Sequence, residues 1–130
     1  MAKWAHADVL DNGINYIKTN CNKIAVIKTY SAGDSYATVT GAANLLAEAT
    51  MASGDFTLGT SGNDRTLTTA AGKQDAAANA GGAASHIAFV DTVNSKVLWV
   101  TEETSGQTIV LGNPVTFPSL VYTAKQPVAP

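Results

Sequence analysis

The spacing of apolar residues changes its period once along the chain. In DVLDNGINYIKTN, residues 8–20, Leu10, Ile14 and Ile17, followed by Cys21, recur at intervals of four, three and four, which lines them along one stripe of a helix. Asp8 suits the N-cap, Asp11 adds a carboxylate near the positive end of the helix dipole, and Asn20 and Asn22 suit the exit. Gly13 weakens the helix by about 1 kcal/mol relative to Ala. So short a helix is marginal alone and needs its stripe docked on a partner.

From residue 23 onward the pattern is that of strands. KIAVIKTY (23–30), LLAEATM (45–51), DFTL (55–58) and RTLTTA (65–70) are bounded by the turn formers SAGDS, TSGND and AAGKQ. Residues 70–85, AAGKQDAAANAGGAAS, carry no large apolar side chain, and their glycines predict a long surface loop in place of a helix. SHIAFVDTVNSKVLWVTEET, residues 85–104, reads as a hairpin. Ile87 and Phe89 alternate with His86, Ala88 and Val90, while Val97 and Trp99 alternate with Leu98 and Val100. Both faces are mostly apolar, which predicts a central pair covered on two sides. Asn94 suits the left-handed position of the connection between them. QTIVL (107–111) and VTFPSLVYT (115–123) supply the last strands, with Pro118 marking an edge or a bulge.

Short strands without intervening helices predict a mainly β fold, an antiparallel β-sandwich or barrel with one short N-terminal α-helix. The expected organisation is an extended N-terminal arm over 1–7, a single β-rich domain over 8–123 and an extended C-terminal tail over 124–130.

Composition changes the picture in one respect. The 130 residues suit one domain, and 45% are hydrophobic, but only 14% are charged against the roughly 25% usual in soluble domains. A surface carried by Thr, Ser, Asn and Gly is weakly protected against association, so the composition leans toward a subunit. A net charge of −2 and a pI near 5.5, without a basic stripe, argue against nucleic-acid binding. The single Cys21 forms no internal disulfide, and MAKWAHADVLDNG contains no apolar run of signal-peptide length. With no membrane-spanning apolar run either, the expectation is folding in a reducing cytoplasm without membrane insertion.

Candidate chemistry is sparse. His6 and His86 lie outside any ligand-spaced cluster, so neither a metal nor another cofactor is expected. Cys21 continues the helix stripe and reads as a packing residue. Gly33-Asp34-Ser35 is similar to the start of a nucleophile motif in one group of lipases and esterases, but no His follows His86 to act as its base, and a turn between strands is the better reading. Glu102 and Glu103 point to opposite faces of a strand, unsuited to shared acid and base work, and read as a solvated strand end. With no base expected beside any nucleophile, no catalytic residue is assigned and no enzymatic activity is expected. Trp4 either folds back onto its own domain or docks in a neighbouring subunit as an aromatic anchor.

Four segments taken in order, MAKWAHADVLDNGINYIKTN, ASGDFTLG, SHIAFVDTVNSKVLWVTEET and GNPVTFPSLVYT, resemble a family of small virion structural proteins of tailed bacteriophages. The shared features are a Trp/His leader before a helix, an SGDFTL-like segment, and an H-hydrophobic-A-hydrophobic-V-D strand paired with a second apolar strand. The resemblance spans nearly the whole chain and implies a non-enzymatic part of the virion, assembled in the host cytoplasm. The leading expectation is a head decoration protein that binds as a homo-oligomer across junctions of the major capsid protein, and the expected contact residues are Trp4, His6, and Tyr16 and Lys18 on the more exposed side of the helix. A tail, neck-collar or fibre component is the alternative within that class. A carbohydrate-binding module is the alternative outside it, and requires at least two of Tyr30, Tyr36, Trp99 and Tyr122 exposed on one face.

Overall fold

The computed structural model describes residues 4–5, 13–61 and 64–125. In chain order the elements are β1 (Trp4–Ala5), α1 (Ile14–Asn20), β2 (Lys23–Ile27), α2 (Tyr36–Thr40), β3 (Leu45–Thr50), a single 3₁₀ turn (Ser53–Asp55), β4 (Phe56–Ser61) and β5 (Asp64–Thr69). They continue with β6 (Lys73–Asp75), β7 (Gly82–Ala83), β8 (His86–Asp91), β9 (Lys96–Glu102), β10 (Thr108–Ile109), β11 (Val115–Phe117) and β12 (Val121–Ala124). A five-stranded sheet runs β1-β9-β8-β2-β3, and a three-stranded sheet runs β12-β5-β4. Two short ladders, β6 with β11 and β7 with β10, complete an all-antiparallel set of pairings. The fold is mainly β, and the sheets do not close into a barrel.

The β8–β9 hairpin is central, as its doubly apolar pattern requires. All six residues of β8 are buried. One face of the larger sheet sends Ile24, Val26, Ile87 and Phe89 into a core shared with Phe56 and Leu67 of the smaller sheet. The other sends Ala25, Ile27, Ala88 and Val90 into a second, thinner core closed by Tyr30 and by Val39 of α2. An aromatic run ties the two layers together. Phe56 meets Phe89 edge-on at 6.3 Å, Phe89 stacks on Trp99 at 4.4 Å, and Trp99 meets Tyr122 edge-on at 5.3 Å.

Simple alternation fails at one residue of β9. Phe89 pairs with Trp99 but Val90 pairs with Val97, so Leu98 is an extra residue, a β-bulge. Leu98 and Trp99 therefore both enter the shared core, and Val97 joins Val100 on the opposite face, contrary to the alternation expected of Val97 with Trp99. The same device recurs opposite β2, where Ile27 pairs with Leu45 and Val26 with Ala47, leaving Leu46 extra. The left-handed residue of the hairpin connection is Ser95, at φ 55°, and not Asn94. Asn94 instead donates through its backbone and side chain to Asp91, which also accepts from Val93 N. At the base of this connection Asn22 exchanges two hydrogen bonds with Thr92.

The helix expected over 8–20 is observed over Ile14–Asn20. Gly13, with φ 69° and ψ −166°, is outside helical space and sets its start; residues 8–12, including Asp8 and Asp11, lie outside the described residues. The stripe docks as required, with Ile14, Ile17 and Cys21 all in the shared core. A second helix, α2, was not expected. Ser35 Oγ caps it by accepting from Thr38 N at 3.2 Å, so SAGDS is a turn into a helix and not a turn between strands.

The segment 70–85 is not a surface loop. Asp75 accepts from Glu48 N at 2.9 Å, and Asn79 N and Ala80 N both donate to Leu46 O, so this stretch covers the edge of β3. Ala78 is buried in the shared core. Pro118 neither bulges nor edges a continuous strand; it ends β11 and lets the chain cross from β6 to β5, where Thr69 exchanges hydrogen bonds with Leu120. At the C-terminus, Ala124 is still in β12, and residues 126–130 of the expected tail lie outside the described residues.

Candidate interaction surfaces

The expected contact residues are largely engaged within their own chain. Trp4 and Ala5 pair their backbones antiparallel with Val100 and Trp99, so this part of the arm is an edge strand of the larger sheet. His6 lies outside the described residues. Tyr16 packs against the shared core, and its hydroxyl accepts from Lys96 Nζ at 3.1 Å, with the ammonium 5.4 Å from the ring centre. Lys18 Nζ donates to Ser53 O at 2.8 Å and Phe56 O at 2.6 Å, pinning the 3₁₀ turn to α1. Charge-assisted bonds of this kind contribute about 1.5–3 kcal/mol each when shielded, and less here because the Ser53 contact is exposed.

A surface that sequence reading did not single out lies on the outside of the smaller sheet. Strand register places Thr57, Thr68 and Val121 in one row and Gly59, Thr66 and Thr123 in the next. The alternate positions, Phe56, Leu58, Leu67 and Tyr122, face the core. These two outer rows hold no charged side chain, and Val121 is 55% exposed. Among the described strands, none pairs with the outer edge of β12. The next outer row pairs Ser61 with Asp64, so charge bounds the face at one end, and the two uncharged rows lie beside an open edge. The signal for it was present as the Thr-rich run 65–70, but only the register shows that the threonines of two strands align. Exposed Val110 and Leu111, after β10, form a second apolar patch.

Clefts formed by the described residues include two beside the sequence candidates. The larger, about 490 Å³, lies where β9 ends and the chain turns at Pro118; Ile87, Phe117, Pro118 and Leu120 wall it, with Glu103 and Ser105 at its polar side. Glu103 Oε1 accepts from Ser105 N at 2.9 Å, while Oε2 is buried without a hydrogen-bond partner. The smaller, about 350 Å³, is lined by Gly33, Asp34, Ser35, Tyr36 and Lys96. There Asp34 accepts from Ser31 N, and the Ser35 hydroxyl caps α2, so the tripeptide that suggested a nucleophile builds local structure.

One pairing of nucleophile and base does occur, and it corrects the expectation that none would. Ser85 Oγ and His86 Nδ1 are 2.8 Å apart. The two residues are sequence neighbours, a spacing that a search for distant partners passes over. His86 is only 4% exposed and its ring lies 5.7 Å from that of Tyr30, while Ser85 N and Oγ both reach Ile27 O. Neither residue lines either cleft. Ser85 is half-buried just before β8, while His86 is buried at the start of that strand. Cys21 is equally secluded; burial pushes its thiol up to about 12, against the partial effect of its hydrogen bond to Lys23 O.

The aromatic residues proposed as glycan platforms are withdrawn from the surface. Tyr30 and Trp99 are buried, and Tyr36 and Tyr122 are half-buried against the two cores. No family model, curated protein or solved structure matches this chain.

Proposed function

We propose that this chain is a structural subunit of a larger protein shell, and specifically a head decoration protein of a tailed bacteriophage. In this role it binds as a homo-oligomer across junctions of the major capsid protein and performs no chemistry of its own. The observation that carries the reading is the pair of adjacent Thr/Val rows across β4-β5-β12, without charge within them, which end in the open edge of β12 and rest on a two-layer core. The low charge content of the whole chain and the order of its resembling segments support the same role. Individually weak contacts add through multivalency when every copy engages several neighbours.

The test is assembly. Purified protein is expected to sediment as an oligomer and to co-sediment with phage heads, and imaging of intact particles is expected to place its density on the head lattice. A monomer that stays in the supernatant overturns the reading, and density on the tail or neck overturns the head placement in favour of a tail or collar component.

A further inference from the structure

The edge of the smaller sheet beside the uncharged rows has a defined pattern of donors and acceptors. Thr69 N donates to Leu120 O at 2.9 Å, so Leu120 turns its backbone polar groups toward β5. Successive residues of an antiparallel strand alternate in this respect. Tyr122 and Ala124 therefore also face β5, while the N–H and C=O of Val121 and Thr123 point out from the other edge of β12. Among the described strands, none takes them up. Side chains alternate with the same period: Val121 and Thr123 are exposed on the outer face, and Leu120, Tyr122 and Ala124 pack against the shared core. The other described edges are less open. The stretch from Asp75 to Ala80 covers β3, β1 offers only two residues, and on β4 the ammonium of Lys18 holds Phe56 O.

We infer that β12 pairs antiparallel with β12 of a second copy, about a two-fold axis at Tyr122, joining the two three-stranded sheets into one continuous sheet. The inference rests on the subunit reading and names the contact that builds the oligomer. Three features select a second copy. First, the pairing is isologous: Val121 faces Thr123 of the second copy and Thr123 faces its Val121, so one set of outward groups supplies every donor and acceptor. Second, the outer rows meet without charge on either side, because Thr57, Thr68 and Val121 run on into Thr123, Thr66 and Gly59 of the second copy. Lys125, the next outward residue, falls opposite Ser119, outside these rows. Third, the two Tyr122 side chains become neighbours on the inner face, in a non-hydrogen-bonded pair where side chains stand closest. Each ring is half-buried edge-on to Trp99, and its twin covers the part still exposed.

The experiment compares the native chain with Thr123→Pro by sedimentation velocity over a concentration series. The N–H that proline lacks points away from β5, and proline is tolerated on an edge strand, so the single copy keeps its fold while the pairing loses a bond from each side. The expected result is reversible association of the native chain, weakened at least about tenfold by Thr123→Pro. Oxidative cross-linking reads the register. Facing residues of a hydrogen-bonded pair lie about 5.5 Å apart between Cα atoms, within disulfide reach. Val121→Cys and Thr123→Cys should therefore cross-link when the two variants are mixed, and neither should do so alone. Undiminished association of a folded Thr123→Pro variant, or cross-linking of one variant alone as readily as the mixture, overturns this contact and leaves the oligomer to another surface. Should Thr123→Pro fail to fold, the cross-linking pattern decides alone. A native chain that stays monomeric yet co-sediments with heads overturns the contact while its place on the shell stands.

Discussion

Asn44 is the buried polar residue whose removal most directly tests how the thinner core is held. Its side chain is 9% exposed and makes four hydrogen bonds: Oδ1 accepts from Thr29 N at 2.9 Å and from Thr29 Oγ1 at 3.3 Å, and Nδ2 donates to Thr29 O at 3.1 Å and Val39 O at 3.2 Å. It thereby fastens the exit of β2 to the end of α2. Asn44→Ala strands the Val39 carbonyl in a buried environment, at about 1–3 kcal/mol, and removes the two part-buried bonds that the amide makes with Thr29 N and Thr29 O, worth roughly 0.5–1.5 kcal/mol each. The expected loss is about 3 kcal/mol. With a urea slope of about 1–3 kcal/mol per molar, the unfolding midpoint falls by roughly 1–3 M without a change in slope. A loss under about 1 kcal/mol would refute the reasoning, because water would then have replaced the amide.

Asn44→Asp refines the same test through pH. The variant keeps the acceptor for Thr29 N but sets a carboxylate oxygen against two carbonyl oxygens, which raises the folded pKa of the new carboxyl above the unfolded value of about 3.9. A raised pKa means that stability is fully present below the unfolded value and is lost as pH rises through the folded one. Asn44→Asp should therefore lie closer to the parent at pH 4 than at pH 7. Parallel stability curves for the two proteins would sink the account.

The remaining predictions are simpler. Asp55 accepts from Ala52 N and, at 3.1 Å, from Lys73 Nζ; chiefly the backbone bond holds its carboxyl below the ordinary value. Its contribution is thus present above the unfolded pKa near 4 and lost as pH falls through the lower folded value. Asp55→Asn should remove that part of the acid dependence while lowering stability at pH 7 by about 1 kcal/mol, since the side chain is partly exposed, its ion pair with Lys73 is screened, and the Asn oxygen still accepts from Ala52 N; urea midpoints at pH 3 and 7 check both. Cys21, with its thiol pushed up to about 12, should resist a thiol reagent at pH 8 in the native protein and react fully once urea unfolds it; rapid native labelling would show the helix stripe to be open. Val121→Lys places a charge in the row with Thr57 and Thr68 and should abolish oligomer formation while changing stability by less than about 0.5 kcal/mol; retained assembly by sedimentation would remove this face from the interface.

The strands were legible because β-branched runs and turn formers are local signals. Lys23–Ile27, Leu45–Thr50 and His86–Asp91 all fall inside runs read from composition and period alone. What stayed hidden depends on contacts distant in sequence. Nothing local marks Leu46 or Leu98 as bulge residues; each is extra only because its partner strand offers one residue fewer. YATVT carries three β-branched side chains out of five and reads against a helix, yet the Ser35 cap and the burial of Val39 decide otherwise. The alanines and glycines of 70–85 read as a loop because they lack large side chains, and that smallness is what allows the segment to lie close along β3; at Gly82 a Cβ would stand 3.1 Å from Lys28 Cε.

The candidate sites divide along the same line. Tyr16 and Lys18 were chosen as outward helix residues, but a long polar side chain on a short helix finds partners across the fold, here Lys96 and the carbonyls of Ser53 and Phe56. Glu103 was set aside as a solvated strand end because it and Glu102 point opposite ways. The alternation was sound; what it lacked was the second layer. Counting from Trp99, whose ring is in the shared core, Thr101 and Glu103 fall on the inward parity, and a carboxylate there is tolerable only where the opposing layer stops. That layer does stop at this point, because Pro118 ends β11 and β12 begins only at Val121. The cleft is thus a consequence of one proline that breaks a strand opposite one glutamate that could not have been packed, and reading the two residues together would have located it.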